Sequence, residues 1–162
     1  MKSLYLPYTT EFDQETRTYC IVGQDSCGKE FGVGAGGTME LCERRLRDWI
    51  LEVLDVQAAH GLDNFGDLHD APPLGEHVVF DPVELLPIRL KLARVVAGLR
   101  QADMASRLGI TQQAYAKLER PGANPTLRTI LQTERVLGQD LLLDAQAKPK
   151  SRKVKSLRSK TA

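Results

Sequence analysis

Gln101-Ala102-Asp103-Met104-Ala105-Ser106-Arg107-Leu108, then Gly109-Ile110, then Thr111-Gln112-Gln113-Ala114-Tyr115-Ala116-Lys117-Leu118-Glu119, carries the plainest structural signal in the second half of this chain. It spells a short helix ended by a glycine, a tight turn, and a second helix opened by a threonine cap. Ala105 is small, which lets the two helices approach closely. Ile110, Tyr115 and Leu118 are expected to face the core. Gln112, Gln113, Ala116 and Lys117 are then left pointing outward near the start of the second helix.

That outward set has a chemistry. A glutamine amide can pair in bidentate fashion with adenine, and a lysine can donate to guanine O6 and N7. Gln101, at the start of the bracing helix, is placed to reach a phosphate with help from the helix dipole. The alternative is a small helical domain used for dimerisation or protein contact. Arg100 to Glu119 resembles the helix-turn-helix of the lambdoid phage repressor and Cro family, through Gln101-Ala102-x-x-Ala105, Gly109 and Thr111-Gln112-Gln113. The resemblance extends over about Leu86 to Leu142, a five-helix module. It implies that Gln112, Gln113 and Lys117 contact bases of operator DNA. It implies that Gln101, Thr111 and Arg120 contact the backbone. Because one helix-turn-helix reads only a few base pairs and a symmetric pair reads two half-sites, a homodimer or higher homo-oligomer is expected.

Working outward, Leu86 to Leu99 reads as a helix with Leu90, Ala93 and Ala97 on one face and Leu92 and Val96 close by. Thr126 is expected to cap a helix from Leu127 to Leu137, which Gly138 ends. Leu141-Leu142-Leu143 fits a short helix or a strand. Lys148 to Ala162 has almost no apolar residues and reads as a disordered tail.

The first half alternates differently. Ser3 to Tyr8, Arg17 to Val22 and Lys29 to Val33 read as strands, with a turn at Asp13-Gln14-Glu15. Gly34-Ala35-Gly36-Gly37 is expected to break the chain. Thr38 then caps an amphipathic helix to about Gln57, with Met39, Cys42, Leu46, Trp49, Ile50 and Val53 on its buried face. Arg44, Arg45, Arg47, Asp48 and Glu52 fall on the wet side. Asp70 to Gly75 is a loop, Glu76 to Phe80 a last strand, and Asp81-Pro82 with Pro87 the boundary between the halves.

The 162 residues are 42% hydrophobic and 27% charged, as expected for a soluble protein with a packed core. No apolar run approaches the roughly 20 residues that span a bilayer. No signal-peptide core precedes Pro7, so a cytoplasmic location is expected. Cys20, Cys27 and Cys42 are odd in number and form no CxxC pair, which argues for free thiols rather than disulfides or zinc. The net charge of +1 conceals a division: residues 1–81 carry −9, residues 82–147 carry +3 and residues 148–162 carry +7. An acidic front suits a basic partner, although many acidic domains are so for solubility. The basic tail can serve solubility, lie along DNA phosphates, or fold back on the acidic front.

The order strand, strand, strand, helix, strand, then helix-turn-helix, resembles the HicB-type antitoxins of bacterial toxin–antitoxin pairs. The resemblance is carried by the Gly37-Thr38-Met39-Glu40 entry into the helix, the helix itself, and Glu76-His77-Val78-Val79-Phe80 leading through Pro82. It implies a partial RNase H-like front domain that neutralises a small basic mRNA-cleaving toxin (HicA-like), and a back domain that represses the operon. The rival reading is a stand-alone repressor whose front domain senses a ligand or mediates assembly.

Other signals weigh less. Gly32, Gly34 and Gly37 satisfy GxGxxG, but no strand ending in an acidic ribose-binding residue follows the helix, so no cofactor is expected. His60, His69 and His77 lie among Asp63, Asp67 and Asp70 without metal-ligand spacing, and a solvated loop is the better account. The carboxylates fall in turns and on a helix surface rather than converging, so no enzymatic activity is expected. Trp49 and Met39 read as core. The expected fold is α+β: residues 1–81 as a β-β-β-α-β antitoxin-like domain, 82–147 as an all-α helix-turn-helix domain, and 148–162 as a basic tail.

Overall fold

A computed structural model of the protein describes residues 3–139 and 141. It is a mixed α and β molecule, with an antiparallel sheet followed by helices. The strands are β1 (Leu4–Asp13), β2 (Thr18–Gln24), β3 (Glu30–Gly36) and β4 (His77–Phe80), in the spatial order β3-β2-β1-β4. β1 is longer than its alternation suggests because it serves two neighbours. Leu4 to Pro7 pair with β4, while Tyr8 to Asp13 pair with β2. Its far end is closed by Asp13, whose carboxylate accepts the Thr16 hydroxyl and the Glu15 and Thr16 amides. Those bonds hold the Asp13 carboxyl below its ordinary range.

The expected break at Gly34 to Gly37 is only partly there: Gly34, Ala35 and Gly36 belong to β3. The reason lies in the helix above. α1 (Met39–Ala59) crosses β3 so closely that a Cβ on Gly34 would sit 2.2 Å from the Cys42 carbonyl oxygen, and one on Gly36 would sit 2.9 Å from Leu41. The glycines allow helix-to-sheet contact rather than ending the strand. Gly34→Ala is therefore expected to destabilise the protein by about 1–3 kcal/mol, because backbone must move. Urea unfolding checks this, and an unchanged midpoint refutes it.

Thr38 caps α1 as expected, its hydroxyl accepting the Leu41 amide at 3.2 Å. The buried side chains are Cys42, Leu46, Ile50, Leu54 and Ala58, a row at every fourth residue. This row is turned from the expected face. Trp49 is 43% exposed, lying at the rim with its ring edge-on to Phe31 at 6.1 Å, so it is not a core residue. Met39 is half-buried against the core. Arg45 donates to the Ala35 carbonyl in β3 and Arg47 to the Val79 carbonyl in β4, so α1 also ties down both outer strands.

α2 (Pro82–Val96) begins four residues before the expected start. Asp81 accepts the Val83 amide at 2.7 Å, Glu84 accepts the Asp81 amide at 2.9 Å, and Pro82 stands at the first helical position, so a capping box and a preset φ start the helix here. Pro87 lies inside α2 rather than before it, and is buried. One missing backbone bond near the N-terminus is outweighed by the burial of Leu85, Leu86, Ile88, Leu90 and Leu92. Val96 and Ala97, expected on the packed faces, are exposed at the helix end.

α3 (Gln101–Leu108), α4 (Gln112–Leu118) and α5 (Leu127–Leu137) complete the fold. The front core joins Leu4, Leu6, Ile21 and Phe80 of the sheet to Leu46, Ile50 and Leu54 of α1. A second cluster joins α2 to Ile130 and Leu141, and a third holds Met104, Ala105 and Tyr115. Leu141 is buried in a turn, whereas Leu142, Leu143 and the tail from Lys148 lie outside the described residues. Among the described residues no helix is long and apolar enough to cross a membrane, and no three His, Cys, Asp or Glu side chains sit together as metal ligands.

Candidate nucleic-acid interface

The turn between α3 and α4 is built locally. Gly109 takes a left-handed conformation, φ 67°, after the last turn of α3, and the Ile110 amide donates back to the Ala105 carbonyl at 3.0 Å. A Cβ at Gly109 would meet nothing within 4 Å, so the demand is on backbone angle and not on space. The Thr111 hydroxyl then accepts the Ala114 amide at 3.1 Å and starts α4. Thr126 does the same for Thr129 at 3.3 Å, and Gly138 closes α5 in the left-handed region. These four punctuation points stand where the sequence puts them.

Bracing comes from the buried face. Met104 and Ala105 of α3 meet Tyr115 of α4, and all three are almost fully enclosed, with Leu118 packed alongside. Ile110 departs from expectation. At 38% exposure it lies on the surface of the turn and not in the core. On the outside of α4, Gln112, Gln113, Ala114 and Lys117 are exposed together, with Thr111 before them and Arg120 after. Ala116 is half-buried rather than outward. Ala114 was not among the expected outward residues. It takes that place because the seven-residue helix buries only the Tyr115 side deeply.

Gln101 is positioned differently from the other candidates. Its side-chain amide donates to Glu119 Oε2 at 2.8 Å. Glu119 is 2% exposed and also accepts two bonds from Arg94, Nε to Oε1 at 2.6 Å and Nη2 to Oε2 at 2.9 Å. Arg94 also donates from Nη1 to the Leu99 carbonyl at 2.9 Å. The end of α2, the start of α3 and the end of α4 are therefore clamped to one buried carboxylate. The Glu119 hydrogen bonds raise the Arg94 pKa, and burial with the neighbouring carboxylate raises that of Tyr115. Both side chains keep their ordinary charge at neutral pH. Sequence spacing gave no sign of this clamp, since its charges stand 25 residues apart.

At the entry to α3, Asp103 accepts the Arg100 amide at 2.9 Å and its guanidinium at 3.2 Å. The Arg100 side chain and amide hold the Asp103 carboxyl below the usual range. Glu119 and Asp103 are thus each matched by a cation, while Lys117 and Arg120 stand exposed in and just after α4. A short helix with two outward amides and a lysine, held by a second helix at a glycine turn, can enter a major groove and donate and accept at base edges.

Comparison with known proteins agrees. Residues 90–143 match the model of a family described as Helix-turn-helix. Over 50 residues the chain is 44% identical to the SPbeta prophage-derived uncharacterized HTH-type transcriptional regulator YonR of Bacillus subtilis (strain 168), a match covering 31% of this chain and 46% of that protein. The chain thus spans less than half the length of this curated relative. Bracing helix, glycine turn and capped outward helix all fall within the matched segment, which therefore contains a helix-turn-helix.

Proposed function

We propose that this protein is a DNA-binding transcriptional regulator that reads its operator with α4 and binds as a homodimer. The observation that carries the reading is the joint exposure of Gln112, Gln113 and Lys117 on a helix braced by buried Tyr115, within the segment that matches the helix-turn-helix family. Thr111 and Arg120 flank that face toward the phosphates. Gln101 reaches the backbone only if it shares its amide with Glu119. One such helix reads few base pairs, and a two-fold pair reads two half-sites. Selection of bound duplexes from a random pool tests this. A palindromic consensus is the expected result, and a pool that stays random after repeated rounds rejects it.

For the front half we propose an antitoxin role: it holds a small basic mRNA-cleaving toxin, HicA-like, and does no chemistry itself. The −9 charge of residues 1–81 and the β-β-β-α-β order support that reading. Co-expression with a small basic neighbouring gene product is the test. Rescue of growth and co-purification are expected. Neither occurring favours the rival, a repressor whose front half senses a ligand or drives assembly.

A further inference from the structure

α2 belongs to both halves of the molecule. Leu85, Ile88 and Leu92, spaced by three and four, enter the front core with Leu54 and Ala58 of α1. Leu86, Leu90 and Ala93, spaced by four and three about a third of a turn round, enter the cluster with Ile130 and Leu141. Polar contacts repeat the division. On the front side Lys91 pairs with Asp55 of α1, the Arg89 guanidinium lies 4.8 Å from the centroid of the Phe65 ring, and Val95 lies against Gly61. On the far side Arg94 holds Glu119, which ends α4. No loop separates the two sets. They share fifteen residues of one continuous helix.

From this placement we infer that the sheet half and the helix-turn-helix fold and open as one cooperative unit, with α2 as the shared strut that conveys the state of the front half to α4. Opening the front core strips α2 of the apolar contacts made by Leu85, Ile88 and Leu92. The second cluster and the Arg94 clamp then hang on a helix packed on one side only. Two domains on a flexible tether would behave otherwise, each opening with its own free energy. By linkage, any ligand of the folded front half stabilises the reading helix to the same extent.

The test is hydrogen exchange on the full chain, free of DNA and partner, comparing wild type with Ile50→Val. Ile50 is fully buried in the front core and packs on no residue of α3, α4 or α5 in that cluster. Removing one methyl group speeds global opening by about two- to tenfold. The expected result is that the slowest amides of α3, α4 and α5 accelerate by the same factor as those of β1, β2 and α1. Acceleration confined to the front half overturns the inference. Val78→Ala in β4 provides a second variant with the same two outcomes. The measurement involves no DNA and no toxin, so its failure leaves the proposed function standing, and the reverse also holds.

Discussion

Glu119→Ala lowers the stability of the folded protein by about 3–5 kcal/mol, the range for removing one partner of a buried ion pair. The wild-type carboxylate is 2% exposed and receives three hydrogen bonds, two from Arg94 and one from Gln101. Truncation leaves a guanidinium that is only 13% exposed, together with the Gln101 amide, without the carboxylate that accepted three of their hydrogen bonds. The Tyr115 hydroxyl buried alongside is neutral, its pKa raised by burial and the neighbouring carboxylate, so it brings no charge to replace the one removed. Urea or thermal unfolding measures the loss. Pairing Glu119→Ala with Arg94→Met should recover much of it, since the uncompensated charge is then gone. A loss below about 1 kcal/mol for Glu119→Ala alone would mean that the clamp behaves like a surface pair. In that case it does not hold the end of α2, the start of α3 and the end of α4 together.

Gln113→Ala and Lys117→Ala affect binding and leave folding nearly intact. Each is expected to weaken operator binding by about 1–3 kcal/mol, roughly five- to more than a hundredfold in affinity. Both side chains are exposed on α4, and neither has a hydrogen-bond partner among the described residues, so their removal should move stability by no more than about 0.5 kcal/mol. The glutamine variant should also lose discrimination at one position of each half-site. Binding of both variants at wild-type strength would displace the reading surface from α4. The two experiments separate cleanly: Glu119 acts on the scaffold, Gln113 and Lys117 on the ligand it presents.

Legibility of the fold varied by element, and the pattern has a physical basis. Thr38, Thr111 and Thr126 cap helices by accepting an amide three residues onward, and Gly109 and Gly138 end them by adopting a positive φ. Such decisions involve only a few consecutive residues, so they are written in consecutive residues. The order of strands and helices, the existence of α3, α4 and α5 with their bounds, and the outward turn of Gln112, Gln113 and Lys117 all follow from signals of that range. The early start of α2 was equally local, in Asp81-Pro82-x-Glu84, but Pro87 drew the expected boundary past it.

Other features depended on what a residue meets across the molecule. Gly34 is strand rather than break because Cys42 of α1 lies over it. Trp49 and Ile110 are both large and apolar, yet Trp49 meets only the rim of the core beside Phe31 and Ile110 stands on the surface of the turn. Gln101 turns to Glu119, Glu119 to Arg94, and α2 to both cores, through contacts between residues 18 to 25 positions apart or more. Local signals settle the caps of α1, α4 and α5, the ends of α3 and α5, and the exposure of Gln112, Gln113 and Lys117, since backbone bonds within a turn or two decide them. Which face of α1 is buried, which charges neutralise one another, and the sharing of α2 by both halves come from the packed fold, since burial and ion pairing depend on three-dimensional neighbours that chain order does not specify.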